Sequence, residues 1–245
     1  MRDEADFIIT NPPFSLFREF LAWIVEANKQ FVIIGNKNCV TYKEVFPLIK
    51  DNKIWSGERK WAGGMWFETK NDDDVDRVID GVNMKNVPSI WLSNVDHGRR
   101  HQPLPLMTMA DNLKFSRHKE IRGKESYDHY DNYDAIEVPY TDAIPGDYDG
   151  IMGVPVSFLD KYCPEQFVIL GLTQFGCHED VPDVRRYNDY KEYRSIDNTA
   201  TGSAGAKTNE NAVLLGKGDK KTYYMNSEGR IVHSEYKRIL IRKKQ

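Results

Sequence analysis

The sequence predicts an α/β fold that begins with a parallel sheet, and three observations predict it. Asp6-Phe7-Ile8-Ile9-Thr10 and Gln30-Phe31-Val32-Ile33-Ile34-Gly35 are short apolar, β-branched runs of the kind that form buried parallel strands. Between them Phe17, Phe20, Leu21, Ile24 and Val25 recur at the three-four spacing of one apolar helix face, so the chain opens strand–turn–helix–strand. With 245 residues, 40% hydrophobic and 29% charged, the chain can bury a real core as one large domain or two small ones.

Taken in order, the first strand must stop at Asn11-Pro12-Pro13, because neither proline can donate into a ladder. Ser15 is placed to cap the helix that follows. Further strands are expected at residues 64–68 and 89–94, on either side of a polar stretch at 71–80. Charge and proline accumulate at 96–105, which places a domain boundary there and divides the chain into 1–100 and 101–245. The second half is less regular. A helix is expected at 157–162, a strand at 166–170, a small-residue loop at 199–209, and strands at 212–215, 222–225 and 238–241, with turns at 216–220 and 227–229. Arg238, Leu240 and Arg242 alternate with Ile239 and Ile241, the pattern of a half-exposed strand. The likeness of QFVIIG (30–35) to QFVILG (166–171) is read as chance between two buried strands.

Composition excludes several classes. No apolar run is long enough to span a membrane, and the acidic start lacks the apolar core of a signal peptide. Cys39, Cys163 and Cys177 are far apart and form no CxxC pair, which reads as reduced thiols in a cytosolic protein. No metal site is expected. The echo Tyr127-Asp128, Tyr130-Asp131, Tyr133-Asp134 lacks the glycine and terminal glutamate of a calcium loop, so its acids are read as helix-surface residues. His118, His129, His178 and His233 have no partner spacing and are read as structural or exposed.

The formal net charge of −3 is unevenly spread. Residues 97–124 hold seven basic side chains against two acidic ones, and 230–245 hold six against one. Residues 125–149 hold eight acids and no Lys or Arg. Segregation of this kind lets one face bind phosphate despite a nearly neutral total, although solvated surface runs give the same pattern. The candidates for DNA contact are Arg99, Arg100, Lys114, Arg117, Lys119, Arg122, Lys124, Arg238 and Arg242.

The sharpest feature is Asn11-Pro12-Pro13-Phe14, at the end of an apolar strand and the start of a helix. Asp or Asn, then two prolines, then an aromatic, arises by chance at about one position in 50,000. In an open parallel sheet, ligands bind beyond the carboxyl ends of the strands, where Asn11 sits. An exocyclic adenine amine is a poor nucleophile because its lone pair is delocalised into the ring. Two acceptors on its hydrogens, the Asn11 side-chain oxygen and the Pro12 carbonyl, hold the nitrogen toward a tetrahedral shape. Phe14 offers a face on which an extruded base can stack.

Here the chain resembles the amino-methyltransferases, and more broadly the EcoRI-type adenine-specific DNA methyltransferases. The resemblance is carried by TNPPFSLFREF (10–20), IWLSNVDHGRR (90–100), YDNYDAIEVPYTDAIPGDYDGIMGVPVSFLDKYCPEQFVILG (130–171) and YKRILIRKK (236–244). It implies a site-specific, monomeric, S-adenosylmethionine-dependent adenine-N6 methyltransferase of restriction-modification type, acting on double-stranded DNA. It also implies a target-base pocket at Asn11, Pro12, Pro13 and Phe14. The expected architecture is a partial Rossmann-like methyltransferase sheet in 1–100, followed by an α+β target-recognition region in 101–245.

One departure is large. Such enzymes reach this motif only after a strand, a glycine-rich turn and a helix that hold the cofactor, and here the motif begins at residue 11. Gly63-Gly64 and Gly216-Lys217-Gly218 do not open a helix after a buried strand, so the cofactor-binding residues are unassigned. Three of seven expected strands are missing, which leaves the strand at 6–10 as an exposed apolar edge. A truncated product, half of a split enzyme whose separate N-terminal fragment supplies the cofactor site, and an excised piece all fit. The competing reading is a non-catalytic DNA-binding remnant or partner subunit. A third is a methyltransferase for RNA or protein.

Overall fold

The computed structural model describes residues 2–173, 190–202, 211–218 and 221–244. It is a mixed α/β structure with four small sheets and three short α-helices among the described residues. The chain forms two compact units, one of residues 1–102 with 159–162 and the other of 103–158 with 163–245.

The first unit is organised by β1 (Phe7–Thr10), α1 (Phe17–Glu26) and β2 (Gln30–Asn36). β1 and β2 pair in parallel, with Ile9 opposite Val32 and Thr10 opposite Ile33. The helix joins them because Phe17, Leu21 and Ile24 bury one face. The Phe17 ring lies against Gly35 of β2, where an added Cβ would come within 2.8 Å of it and 3.1 Å of Cys39 Sγ. Next come α2 (Phe46–Lys50), β3 (Trp55–Ser56), β4 (Met65–Glu68), β5 (Arg77–Ile79), β6 (Val82–Val87) and β7 (Ser89–Ser93). The main sheet has the order β1–β2–β7–β3, and β7 runs antiparallel to both β2 and β3. Asn94 extends this ladder with its side chain, accepting from Phe31 N–H at 2.8 Å and donating to the Lys29 carbonyl at 2.9 Å. Strands β4, β6 and β5 form a separate antiparallel sheet, with a tight turn at Asp80 and Gly81, both at positive φ.

The second unit contains α3 (Met109–Phe115), β8 (Ala135–Glu137), β9 (Ile151–Pro155), β10 (Phe167–Leu172), β11 (Lys191–Arg194), β12 (Val213–Leu215), β13 (Thr222–Met225), β14 (Ile231–Ser234) and β15 (Arg238–Lys243). Its sheets have the orders β10–β15–β9–β8 and β11–β13–β14–β12. Thr108 caps α3 by accepting from Asp111 N–H at 3.1 Å.

Several expectations change. The first strand is parallel but not buried; it is the exposed apolar edge expected from the missing neighbouring strands, with Ile9 70% exposed. Ser15 does not cap α1. It lies inside a 3-10 turn, Phe14–Leu16, and the helix starts after Leu16 with no side-chain cap. The helix expected at 157–162 is a 3-10 turn, Val156–Asp160. The Tyr–Asp echo is not helical: Tyr127, Tyr130 and Tyr133 are buried in an irregular segment, since a three-residue repeat without a supporting apolar face specifies no helix. β15 is not half-exposed, because it lies between β10 and β9 with Ile239, Leu240 and Ile241 all fully buried. Cys177, His178, residues 203–209 of the small-residue loop and residues 219–220 of the next turn lie outside the described residues.

The Gly35 packing gives a direct test. Gly35→Ala forces the Phe17 ring or the Cys39 side chain to shift and should cost about 1–3 kcal/mol. Equilibrium urea unfolding measures this, and an unchanged midpoint would show that the helix does not pack tightly on β2.

Candidate active site

At the carboxyl end of β1 the ladder stops at Thr10, and Asn11 is the first residue beyond it. Pro12 is buried and anchors the turn, whereas Asn11, Pro13 and Phe14 face outward, with Phe14 39% exposed. The Pro13 carbonyl accepts from Leu16 N–H at 3.0 Å and starts the 3-10 turn. The Pro12 carbonyl, one residue earlier, lies outside that turn. Among the described residues the Asn11 side chain has no hydrogen-bond partner. The motif is therefore displayed, with two oxygens not consumed by the fold and an aromatic face beside them. Cys39, packed close to Gly35 on the same sheet, is an inert thiol, since burial pushes its pKa up to about 12.

Most of the basic candidates are already paired. Arg99 reaches the Asp160 carboxylate at 2.7 Å and the Asp160 carbonyl at 2.6 Å, and it holds residues 159–162 in the first unit. Arg100 lies 3.6 Å from the centre of the Trp55 ring and donates to Asp96 at 2.9 Å. His101 and then Arg100 hold the Asp96 carboxyl below the ordinary carboxylate range. Arg117 pairs with Asp142 at 2.6 Å, and Lys124 pairs with Asp128. Lys114, Lys119, Arg122 and Arg242 are exposed, and among the described residues none has a carboxylate partner. The histidines also have structural partners: His118 stacks on Tyr140 and meets Asp142 at 2.9 Å, and His233 meets Glu235 at 3.0 Å.

The family model described as adenine-specific methyltransferase EcoRI matches residues 1–244. This chain belongs to that family. It is 43% identical over 178 residues to the Type II methyltransferase M.EcoRI of Escherichia coli, covering 68% of this chain and 50% of that protein. The Type II methyltransferase M.MpnI of Mycoplasma pneumoniae is 33% identical over 175 residues, covering 68% of this chain and 51% of that protein. M.MgeORF184P of Mycoplasma genitalium, also a Type II methyltransferase, is 33% identical over 175 residues, covering 68% and 52%. The chain thus spans about half the length of the curated relatives it matches. No solved structure gives a significant match.

For a member of the EcoRI family the question is what could hold a nucleoside cofactor. Gly63 and Gly64 have positive φ, but an added Cβ at Gly64 would meet Asn86 Oδ1 at 2.6 Å and the Val87 carbonyl at 2.7 Å. That turn serves packing against β6. Gly218 likewise lies beneath the His233 ring. Neither pair opens a helix, so these residues do not fit such a cofactor. Among the described residues no cluster of His, Cys, Asp and Glu could hold a metal, and no helix is long and apolar enough to cross a membrane.

One polar centre escaped the sequence reading. In the second unit Arg238 donates to Glu137 through Nε at 3.0 Å and Nη2 at 2.7 Å, and Tyr130 donates to the same carboxylate. The Arg238 and Glu137 side chains are only 12% and 6% exposed. Burial, then Glu137, drives the Tyr130 hydroxyl pKa well above normal. The pair lines a cavity of about 510 Å³, together with Tyr127, His233 and Glu235. A YxxxxxxE spacing with an arginine 101 residues later carries no local signal. Arg238→Gln should strand Glu137 and cost about 3–5 kcal/mol. Arg242→Gln should stay within about 0.5 kcal/mol. Urea unfolding separates the two, and equal midpoints would remove the structural role of Arg238.

Proposed function

We propose that this chain supplies the base-accepting half of a DNA adenine-N6 methyltransferase of restriction-modification type. The observation that carries the reading is the display of Asn11 and Phe14 at the carboxyl rim of β1, with the Pro12 carbonyl outside the adjoining turn. An extruded adenine would stack on Phe14. Its amino group would donate one hydrogen to the Asn11 side-chain oxygen and the other to the Pro12 carbonyl. Drawing both hydrogens to one side turns the nitrogen lone pair toward an electrophile. Fixed dipoles of this kind stabilise the positive charge that develops on nitrogen as it is alkylated. S-adenosylmethionine supplies an activated methyl group when bound.

The four-stranded sheet β1–β2–β7–β3 would then be the carboxyl half of a Rossmann-like methyltransferase sheet. Its exposed β1 edge suits a parallel neighbour from the cofactor-binding part, whether on the same polypeptide or on a separate fragment. Residues 101–245 would form the target-recognition region on double-stranded DNA. Within it Lys114, Lys119, Arg122 and Arg242 remain candidates for phosphate contact. Arg99, Arg100, Arg117, Lys124 and Arg238 would serve the fold first. The setting is bacterial cytoplasm, and the complete enzyme acts as a monomer.

Two measurements test this. In enzyme complete with its cofactor site, Asn11→Ala should lower methyl incorporation into duplex DNA by roughly 10²-fold or more while DNA affinity is kept. Turnover retained near the unaltered rate would remove Asn11 from its role. Calorimetry of the 245-residue chain with S-adenosylmethionine should show no tight stoichiometric binding, and a saturable isotherm would place the donor site within these residues.

A further inference from the structure

Two of the turns that hold apolar side chains out in solvent differ in charge. The β5–β6 hairpin exposes Val78, Ile79 and Val82, but it follows Asp72, Asp73, Asp74 and Asp76 and turns at Asp80. A polyanion is repelled there. The turn after β11 is the opposite case. Ile196 is 92% exposed, beside Arg194 and Lys221. Both cations are exposed; among the described residues Lys221 has no carboxylate partner, and Arg194 interacts with Asp197 through charge alone, without an ion-pair contact.

This turn is fixed by its own bonds. Arg194 N–H donates to the Thr199 carbonyl at 2.9 Å, Asn198 N–H to the Arg194 carbonyl at 3.0 Å, and Ser195 N–H to the Lys221 carbonyl at 2.8 Å. Asn198 sits at φ 56, in the left-handed region. Lys217 Nζ donates to Asn198 Oδ1 at 2.8 Å and lies 4.8 Å from the centre of the Tyr223 ring, which stacks on Tyr193. The one acid in the turn, Asp197, is held first by Thr199, whose N–H and hydroxyl both donate to Oδ1, at 3.0 and 2.7 Å, and more weakly by the charge of Arg194. A rigid turn thus presents a single isoleucine with cations on its flanks. The fold gains nothing from burying that side chain.

We propose that this turn is a duplex-DNA wedge. Ile196 enters a groove and presses against a base step, while Arg194 and Lys221 seat on the flanking phosphates. Branched apolar side chains inserted at base steps unstack them and bend the duplex, and neighbouring cations offset the cost by neutralising phosphate. The proposal rests on the reading of this chain as a DNA methyltransferase, and it names a contact that neither basic run of the sequence contains.

The test is fluorescence anisotropy of the full chain on random-sequence duplex DNA across a salt series. Arg194→Gln and Lys221→Gln should each lower the slope of log affinity against log salt by about 1. Ile196→Ala should weaken binding by roughly three- to tenfold at every salt concentration and leave the slope unchanged. A side chain this exposed can be truncated without unfolding the chain. If the three variants match the unaltered chain in affinity and slope on DNA that it binds, the wedge is overturned and the methyltransferase reading stands. If Ile196→Ala abolishes self-association and leaves DNA binding intact, the turn joins copies of the chain and the wedge is likewise overturned. If the unaltered chain binds no duplex at any salt, the wedge and the DNA reading fall together.

Discussion

Everything at the rim of the first unit follows from the inability of proline to donate a backbone hydrogen bond. Pro12 and Pro13 end the β1 ladder at Thr10, so the chain must leave the sheet there. Phe14 and Ser15 close no turn; the first N–H that does is Leu16, and it reaches back to Pro13, not to Pro12. The Pro12 carbonyl lies outside that turn. Pro12 is buried and fixes the turn, whereas Asn11 and Phe14 on either side of the prolines remain outside. A more ordinary sequence at this position would have spent these acceptors on helix capping.

The same accounting separates the basic residues. A guanidinium held by a carboxylate in a desolvated pocket has already met its electrostatic demand, and moving it to a phosphate would abandon a buried charge. Arg238 with Glu137 and Arg99 with Asp160 are in that position. Exposed pairs such as Arg117 with Asp142 are weaker and can exchange partners at little cost. Lys119, Arg122, Lys221 and Arg242 have no carboxylate to give up among the described residues, and Arg194 would give up only the charge of an exposed Asp197, so phosphate contact is least costly through them. Charge counted along the chain grouped Arg238 with Arg242, although one is locked inside and the other is free. It also passed over Arg194 and Lys221, which are 27 residues apart in sequence and brought together by the pairing of β11 with β13.

How much was legible depended on how local the determining interactions are. The β1–α1–β2 start could be read because apolar period and proline placement lie within thirty-odd residues. The strands at β7, β10, β12, β13 and β15 were legible for the same reason. Their partners were not. β15 looked half-exposed because Arg238 and Arg242 flank its apolar residues. Long-range pairing with β9 and β10 takes both its edges, Leu240 packs against Tyr130, Tyr133 and Leu214, and Glu137 neutralises Arg238 from a distant strand. The turn at Val156–Asp160 was read as a helix because its composition is helical. Yet Arg99 holds the Asp160 carbonyl, Ser56 donates to the Leu159 carbonyl at 3.3 Å, and the segment is drawn off as a short turn. Asn11 is singled out from chemistry, and the structure puts that amide, the two prolines and the aromatic ring at an exposed strand end.

The edge position of β1 bears on how the acceptor would meet its methyl donor. Parallel strands share their carboxyl ends, and in open sheets those ends form the ligand-binding rim. A parallel strand added beside β1 would cover Ile9, now 70% exposed, and bond to the free side of the ladder. Its own carboxyl end would then lie next to Asn11. An antiparallel strand could cover the same apolar surface, but it would present its amino end there and separate any cofactor turn from the base. Edge pairing in the parallel sense is therefore the arrangement that would satisfy both the apolar edge of β1 and the chemistry proposed for Asn11 with a single contact.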